Sequence, residues 1–185
     1  MIILASQSPR RKELMGKLNI PFVVRVADVD EAMDPQKLPQ EEVARVSALK
    51  ASAVPQTSED IVIAADTIVV CDGYILGKPQ DKETAFKMLA MLSGREHQVM
   101  TGVTVLKGDR HISFTEVTQV RFRNLNAREI RDYIATGEPM DKAGSYGIQG
   151  GAALFVEGIE GDYYNVIGLP ICKLSQTLKK MEDTQ

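Results

Sequence analysis

Ile61-Val62-Ile63-Ala64-Ala65-Asp66-Thr67-Ile68-Val69-Val70, followed by Cys71 and the pair Asp72-Gly73, reads as two buried strands meeting at Asp66-Thr67. A run of apolar and small residues is what a strand covered on both faces requires, and Asp-Gly is a hairpin turn signal. Upstream, residues 2–5 predict a first strand, the polar loop Ser6-Gln7-Ser8 follows, and Leu14, Met15 and Leu18 mark one face of a helix. A second strand is expected over about 22–26. After the turn-rich Asp34-Pro35 region, Val43, Val46, Leu49 and Ala53 recur at helical spacing.

Downstream, Ala85, Met88, Leu89 and Leu92 define a third helix that Ser93-Gly94 ends, and residues 98–106 and 112–122 predict two long antiparallel strands. Ile130, Tyr133 and Ile134 mark a fourth helix, 144–151 a glycine-rich loop, 152–156 a strand, and Leu174, Leu178 and Met181 a closing helix. Strands interleaved with helices predict an α/β (mixed α+β) fold, a twisted mixed β-sheet flanked by helices with functional loops at strand ends. With neither repeats nor low-complexity tracts, the 185 residues are expected to form one domain, 1–185.

Composition narrows the function classes. A net charge of −3 argues against a protein that coats nucleic acid, because such binding rests on neutralising many phosphates. No apolar stretch reaches the length of a membrane span, and Met1-Ile2-Ile3-Leu4-Ala5 reads as a strand with no basic leader. A cytoplasmic protein without a membrane or nucleic-acid partner is expected. Two cysteines, Cys71 and Cys172, and two histidines, His97 and His111, do not make a closed zinc site; both thiols are expected in the core, and any metal should be a hard one bound by oxygen.

Four constellations carry chemistry. In Ser6-Gln7-Ser8-Pro9-Arg10-Arg11-Lys12, hydroxyls precede a proline at a helix start and cations follow, which suits an anion; an N-capped surface helix with a solvated basic turn is the alternative. Asp66, at the end of an apolar strand, needs a partner: a metal ion or a reacting water, or its own backbone if it merely caps a turn. Asp28, Asp30 and Glu31 form a second acidic cluster, and Glu31 with Asp66 could hold Mg²⁺ or Mn²⁺ while phosphates complete the coordination.

Lys50 and Lys78 (in Leu76-Gly77-Lys78-Pro79) are ordinary surface cations unless a polyphosphate is near. A nucleoside triphosphate carries about four negative charges, of which a divalent metal leaves roughly two for such cations to offset. Gln149, in the glycine-rich segment, offers an amide donor beside a carbonyl acceptor, the complement of the imide edge of uracil or thymine, or else is simply an exposed glutamine.

Together these motifs, with Leu92-Ser93-Gly94, Asp141-Lys142-Ala143-Gly144, Tyr146-Gly147-Ile148-Gln149-Gly150 and Gly168-Leu169-Pro170, resemble the Maf-like nucleoside triphosphate pyrophosphatases over essentially the whole chain. The resemblance implies a fold similar to the inosine triphosphate pyrophosphatases with two lobes around a central cleft. It also implies a divalent metal cation, a homodimer, and hydrolysis of a nucleoside triphosphate to monophosphate and pyrophosphate. Carried over by position, Asp66 is the proton acceptor and a metal ligand with Glu31. Ser6, Arg10, Arg11, Lys50 and Lys78 match phosphate-binding positions, and Arg10, Thr67 and Gln149 match those that select the substrate. Thr67 with Gln149 resembles the branch acting on dTTP and UTP; a 7-methyl-GTP pyrophosphatase, or a nucleotide-binding regulator of septum formation, is the alternative.

Overall fold

The computed structural model describes residues 1–182; the last three residues of the expected 1–185 domain lie outside that range. The first elements are β1 (Ile2–Leu4), α1 (Pro9–Gly16), β2 (Val23–Val24), α2 (Pro39–Ala53) and β3 (Ile61–Cys71). They are followed by β4 (Tyr74–Leu76), α3 (Lys82–Leu92), β5 (Glu96–Lys107), β6 (Arg110–Phe122) and α4 (Ala127–Ala135). Three short 3₁₀ turns lead to β7 (Val156–Glu160), α5 (Tyr163–Ile167) and α6 (Ile171–Glu182). The strands form one mixed sheet in the order β2-β1-β3-β5-β6-β7, with β4 paired to β3. No helix among the described residues is long and apolar enough to cross a membrane.

The chain divides into two compact units. The first comprises Met1–Asp66, Thr101–Glu116 and the chain from Gly168 onward; the second comprises Thr67–Met100 and Val117–Ile167. In the first, β1 lies between β2 and β3 and is parallel to both, with Ile3 opposite Val23 on one side and Val62 on the other. The chain leaves β1 through α1 to β2 and returns through α2 to β3 on β1's other flank, so strand order reverses at β1. In open α/β sheets that reversal marks where ligands bind, outside the carboxyl ends of the strands.

Burial explains the strands. Ile3, Leu4, Val62, Ile63, Ala64 and Ala65 have no exposed surface, and covering each large aliphatic side chain contributes about 1.5–3 kcal/mol. Helix α2 packs Val43, Val46, Ser47 and Ala51 inward, whereas Leu49, expected on that face, is 42% exposed. Close approach is made possible at Gly102 on β5, where a Cβ would stand 2.4 Å from the Val43 carbonyl oxygen. Hydroxyls seal the contact: Ser47 Oγ lies 2.7 Å from Thr104 Oγ1, which lies 2.8 Å from Ser113 Oγ.

The second unit is built around Leu89, Leu92, Val120, Phe122, Tyr133 and Phe155. His97 and Tyr146 sit in this core, both edge-on to Phe122, with His97 Nε2 2.7 Å from the Tyr146 hydroxyl. Asp72 (φ 49°) and Gly73 (φ 80°) make the expected hairpin, with Cys71 opposite Tyr74.

Three expectations need correction. Residues 61–71 are one continuous strand, not two strands meeting at Asp66-Thr67. Aspartate is rare within strands and so reads as a terminator, but this one is held by a charged partner. Residues Gly151–Leu154 turn as a 3₁₀ helix, and the strand begins only at Val156. Cys71 is buried as expected, but Cys172 is exposed, since the inward face of α6 is taken by Leu174, Leu178 and Met181.

Candidate active site

Residues expected at the site gather in the first unit around one ammonium group. Lys50, in the last turn of α2, donates from Nζ to Asp66 Oδ1 at 2.7 Å and pairs with Glu31 Oε1 at 2.9 Å. Asp66 is 8% exposed, the Lys50 side chain 14% and the Glu31 side chain 54%, so the triad runs from a desolvated strand carboxylate to an accessible loop carboxylate. Within a low-dielectric site such a buried charge persists only when paired. Both carboxylates therefore already face one cation.

Glu31 is held by the chain that follows it. Glu42, buried on the first turn of α2, accepts from Asp34 N at 2.8 Å and from Arg45, whose Nη2 also donates to the Ala32 carbonyl at 2.7 Å. The Arg45 contact holds the Glu42 carboxyl down to about 2, and the Asp34 amide adds to it. Loop 30–34 is thus fastened to the helix that carries Lys50.

The Ser6–Arg11 stretch leaves β1 with Ala5 N donating to the Ile63 carbonyl at 2.8 Å. Ser8 caps α1, its hydroxyl accepting from Arg11 N at 3.4 Å, and Pro9 occupies the first turn, where its missing N–H costs nothing. Ser6 is buried and its Oγ accepts from Ser8 N and from Arg11 Nη1. Arg11 Nε donates to the Gly168 carbonyl at 2.8 Å, a contact supplied by the Gly168-Leu169-Pro170 motif. Burial, the largest influence, lowers the Arg11 pKa; Asp66 opposes that, Arg10 adds to it and Glu31 opposes it. A guanidinium keeps its proton regardless, so Arg11 places fixed positive charge near Asp66 and Glu31, with Arg10 close to it.

Thr67, Lys78 and Gln149 belong to the second unit. Thr67 follows Asp66 on β3, and Lys78 and Gln149 are both exposed. Gly144 N donates to the Gly77 carbonyl at 3.1 Å, tying the glycine-rich segment to the loop that carries Lys78. Gly144 has φ +67°, and a Cβ there would meet Val69 at 2.7 Å, so only glycine fits. Glycines in this segment are approached by the protein's own side chains: Gly147 by Lys142, and Gly150 by Glu138.

Whether the residues suit a divalent metal depends on their donors. Asp66 and Glu31 supply hard carboxylate oxygens that share one cation, and no group of three or more His, Cys, Asp or Glu able to hold a metal occurs among the described residues. Two carboxylates fit an ion that keeps several waters and takes phosphate oxygens, as Mg²⁺ does. Sequence reasoning missed the Glu42–Arg45 anchor, because a glutamate in a helix's first turn reads as solvated; its only signal was its place next to the apolar stripe Val43–Val46.

Residues 1–181 match the family model described as Maf-like protein. The chain is 51% identical over 181 residues to the dTTP/UTP pyrophosphatase of Bacillus cytotoxicus, covering 97% of this chain and 95% of that one. It is 52% identical over 178 residues to the dTTP/UTP pyrophosphatase of Symbiobacterium thermophilum, covering 96% and 92%. Among solved structures it is similar to the Staphylococcus aureus Ham1 protein, with a TM-score of 0.51 at 15% identity over 97% of this chain and 98% of that one, a likeness of fold alone. With a family model matched from its first residue to 181, the chain belongs to the Maf-like protein family.

Proposed function

We propose that this protein hydrolyses nucleoside triphosphates, UTP and dTTP in preference to others, to the nucleoside monophosphate and pyrophosphate. The observation that carries the reading is the Lys50 ammonium shared by Asp66 and Glu31, in a chain about half identical to enzymes named for that activity.

Asp66 is the proton acceptor for a water that attacks the α-phosphorus, its orientation fixed by β3 and by the Lys50 contact. An arriving triphosphate offers Lys50 a competing anion, which leaves the Asp66 carboxylate to face the attacking water. Arg10, Arg11 and Ser6 meet the phosphates from the start of α1, where helix-end amides and guanidinium forks favour anions. Lys78 is assigned to phosphate binding, and Arg10, Thr67 and Gln149 to substrate choice.

Glu31 and Asp66 would hold Mg²⁺ or Mn²⁺, which when bound screens phosphate charge and stabilises the leaving pyrophosphate. The protein is further read as a single functional domain, a cytoplasmic homodimer without nucleic-acid or membrane partners; gel filtration tests the dimer.

Incubation with UTP, dTTP, GTP and 7-methyl-GTP in Mg²⁺ or Mn²⁺, with products separated by anion exchange, tests the function. UMP or dTMP with pyrophosphate is expected. Binding without turnover, or turnover confined to 7-methyl-GTP, rejects it.

A further inference from the structure

In the second unit, the segment that carries Gln149 is gripped on both sides by two residues that have no role assigned above. Tyr133, on α4, donates its hydroxyl hydrogen to Glu138 Oε1 at 2.9 Å and accepts from Gly147 N at 3.1 Å. Glu138 Oε2 accepts from Gly151 N at 3.1 Å. The two gripped amides lie two residues before and two residues after Gln149, and the turn between them is closed by Gly150 N donating to the Gly147 carbonyl at 3.1 Å.

This grip is the reason for the glycines. A Cβ on Gly150 would stand 2.1 Å from Glu138 Oε1, and one on Gly151 would stand 3.1 Å from the Tyr133 ring. The hydroxyl itself is aimed by the core, because Tyr133 is 5% exposed and its ring packs edge-on against Phe155 at 5.2 Å. Burial foremost pushes the Tyr133 phenol upward, the Gly147 amide opposes that, and Glu138 adds to it, so the group remains a donor. Gln149, by contrast, is exposed, its main chain anchored on either flank.

A glutamine amide distinguishes one base edge from another only if its donor and acceptor are held where that edge will be. A loop free to shift would let the same amide adapt to a different base and lose the distinction. We propose that Tyr133 and Glu138 are positioning residues that fix the Gln149 main chain and thereby set the preference for pyrimidine over purine nucleotides. This rests on the reading of Gln149 as a base-selecting residue.

The test measures kcat/KM for UTP and for GTP in the wild type, Tyr133→Phe, Glu138→Gln, Gln149→Ala and the double variant Tyr133→Phe/Gln149→Ala, with melting temperatures alongside. Phenylalanine keeps the ring against Phe155 and removes only the hydroxyl. Glutamine keeps the shape of Glu138 but turns one acceptor into a donor, against the Tyr133 hydroxyl or the Gly151 amide.

Each single variant is expected to lower the UTP-to-GTP ratio roughly five- to tenfold, the scale of one lost hydrogen bond. In the Gln149→Ala background, Tyr133→Phe should change the ratio by less than about twofold, since the group it positions is gone. A lowered melting temperature with the wild-type ratio in both Tyr133→Phe and Glu138→Gln, while Gln149→Ala lowers that ratio, would overturn the grip and leave the proposed function standing. A wild-type ratio in Gln149→Ala would instead remove base reading by Gln149, and the grip with it. If one grip variant fails to fold, the other carries the same comparison.

Discussion

At the scale of single residues, the chemistry depends on which carboxylate is accessible and which is fixed. Asp66 is buried on β3 and bonded to Lys50, while Glu31 is half exposed on a loop. Asp66→Asn keeps the volume and removes the base. It should lower kcat by roughly a hundredfold or more with nucleotide affinity within a few-fold, as steady-state kinetics and titration calorimetry would read; activity near that of the wild type would remove Asp66 from its role.

Glu42 gives a prediction about pH. Its folded-state pKa is depressed from 4.5 to about 2, so its contribution to stability is fully present above the unfolded value and lost as pH falls from about 4.5 toward about 2. Denaturant unfolding of the wild type and Glu42→Gln should show a stability gap near neutrality that closes over that window. Residue types marked Asp66 and the Arg10-Arg11 pair as candidates, because a charge beside an apolar strand and cations at a proline-started helix stand out, whereas Lys50 read as an ordinary surface cation until the family resemblance was added. Glu42, Tyr133 and Glu138 were illegible as anchors, since sequence gives their chemistry but not which way they point.

At the scale of elements, position is transmitted through close contacts. Helix α2 carries Lys50 and rests on β5 at Gly102, where a Cβ would stand 2.4 Å from the Val43 carbonyl oxygen and 2.7 Å from Ala44 N. Backbone cannot yield as a flexible side chain does, so Gly102→Ala should cost about 1–3 kcal/mol and reduce turnover by moving Lys50. Urea unfolding with kinetics checks both, and unchanged stability would mean the helix adjusts without strain.

In the second unit, burial lowers the His97 pKa from 6.5 to about 4. The unfolded chain therefore takes up the proton first, so stability is full above about pH 6.5 and falls as pH drops toward about 4, by roughly 3 kcal/mol for a shift of that size. His97→Phe should flatten that slope, though it also strips the Tyr146 hydroxyl of its partner.

Most elements were legible because apolar spacing follows the helical or strand period and caps mark the ends. The Asp72-Gly73 hairpin and the helix ended at Gly94 were read correctly for that reason. Element ends failed where local signals misled: Asp66 suggested a break in a strand that runs on through its ion pair with Lys50, and Ala152 and Ala153 read as strand residues but lie in the 3₁₀ turn Gly151–Leu154.

At the scale of the whole molecule, the mixed sheet brings distant segments to the reversal at β1, and family membership places that arrangement among proteins named for dTTP and UTP hydrolysis. Removing divalent metal with a chelator should abolish turnover, and adding back Mg²⁺ or Mn²⁺ should restore it; activity that survives exhaustive chelation would exclude the carboxylate metal site. Attack by water at the α-phosphorus is read most directly by hydrolysing UTP in water enriched in heavy oxygen, which reports the bond that breaks. Mass spectrometry of the products should find the label in UMP and none in pyrophosphate. Label in pyrophosphate would place the attack at the β-phosphorus, and UDP with labelled orthophosphate at the γ-phosphorus; either result rules out hydrolysis at the α-phosphorus.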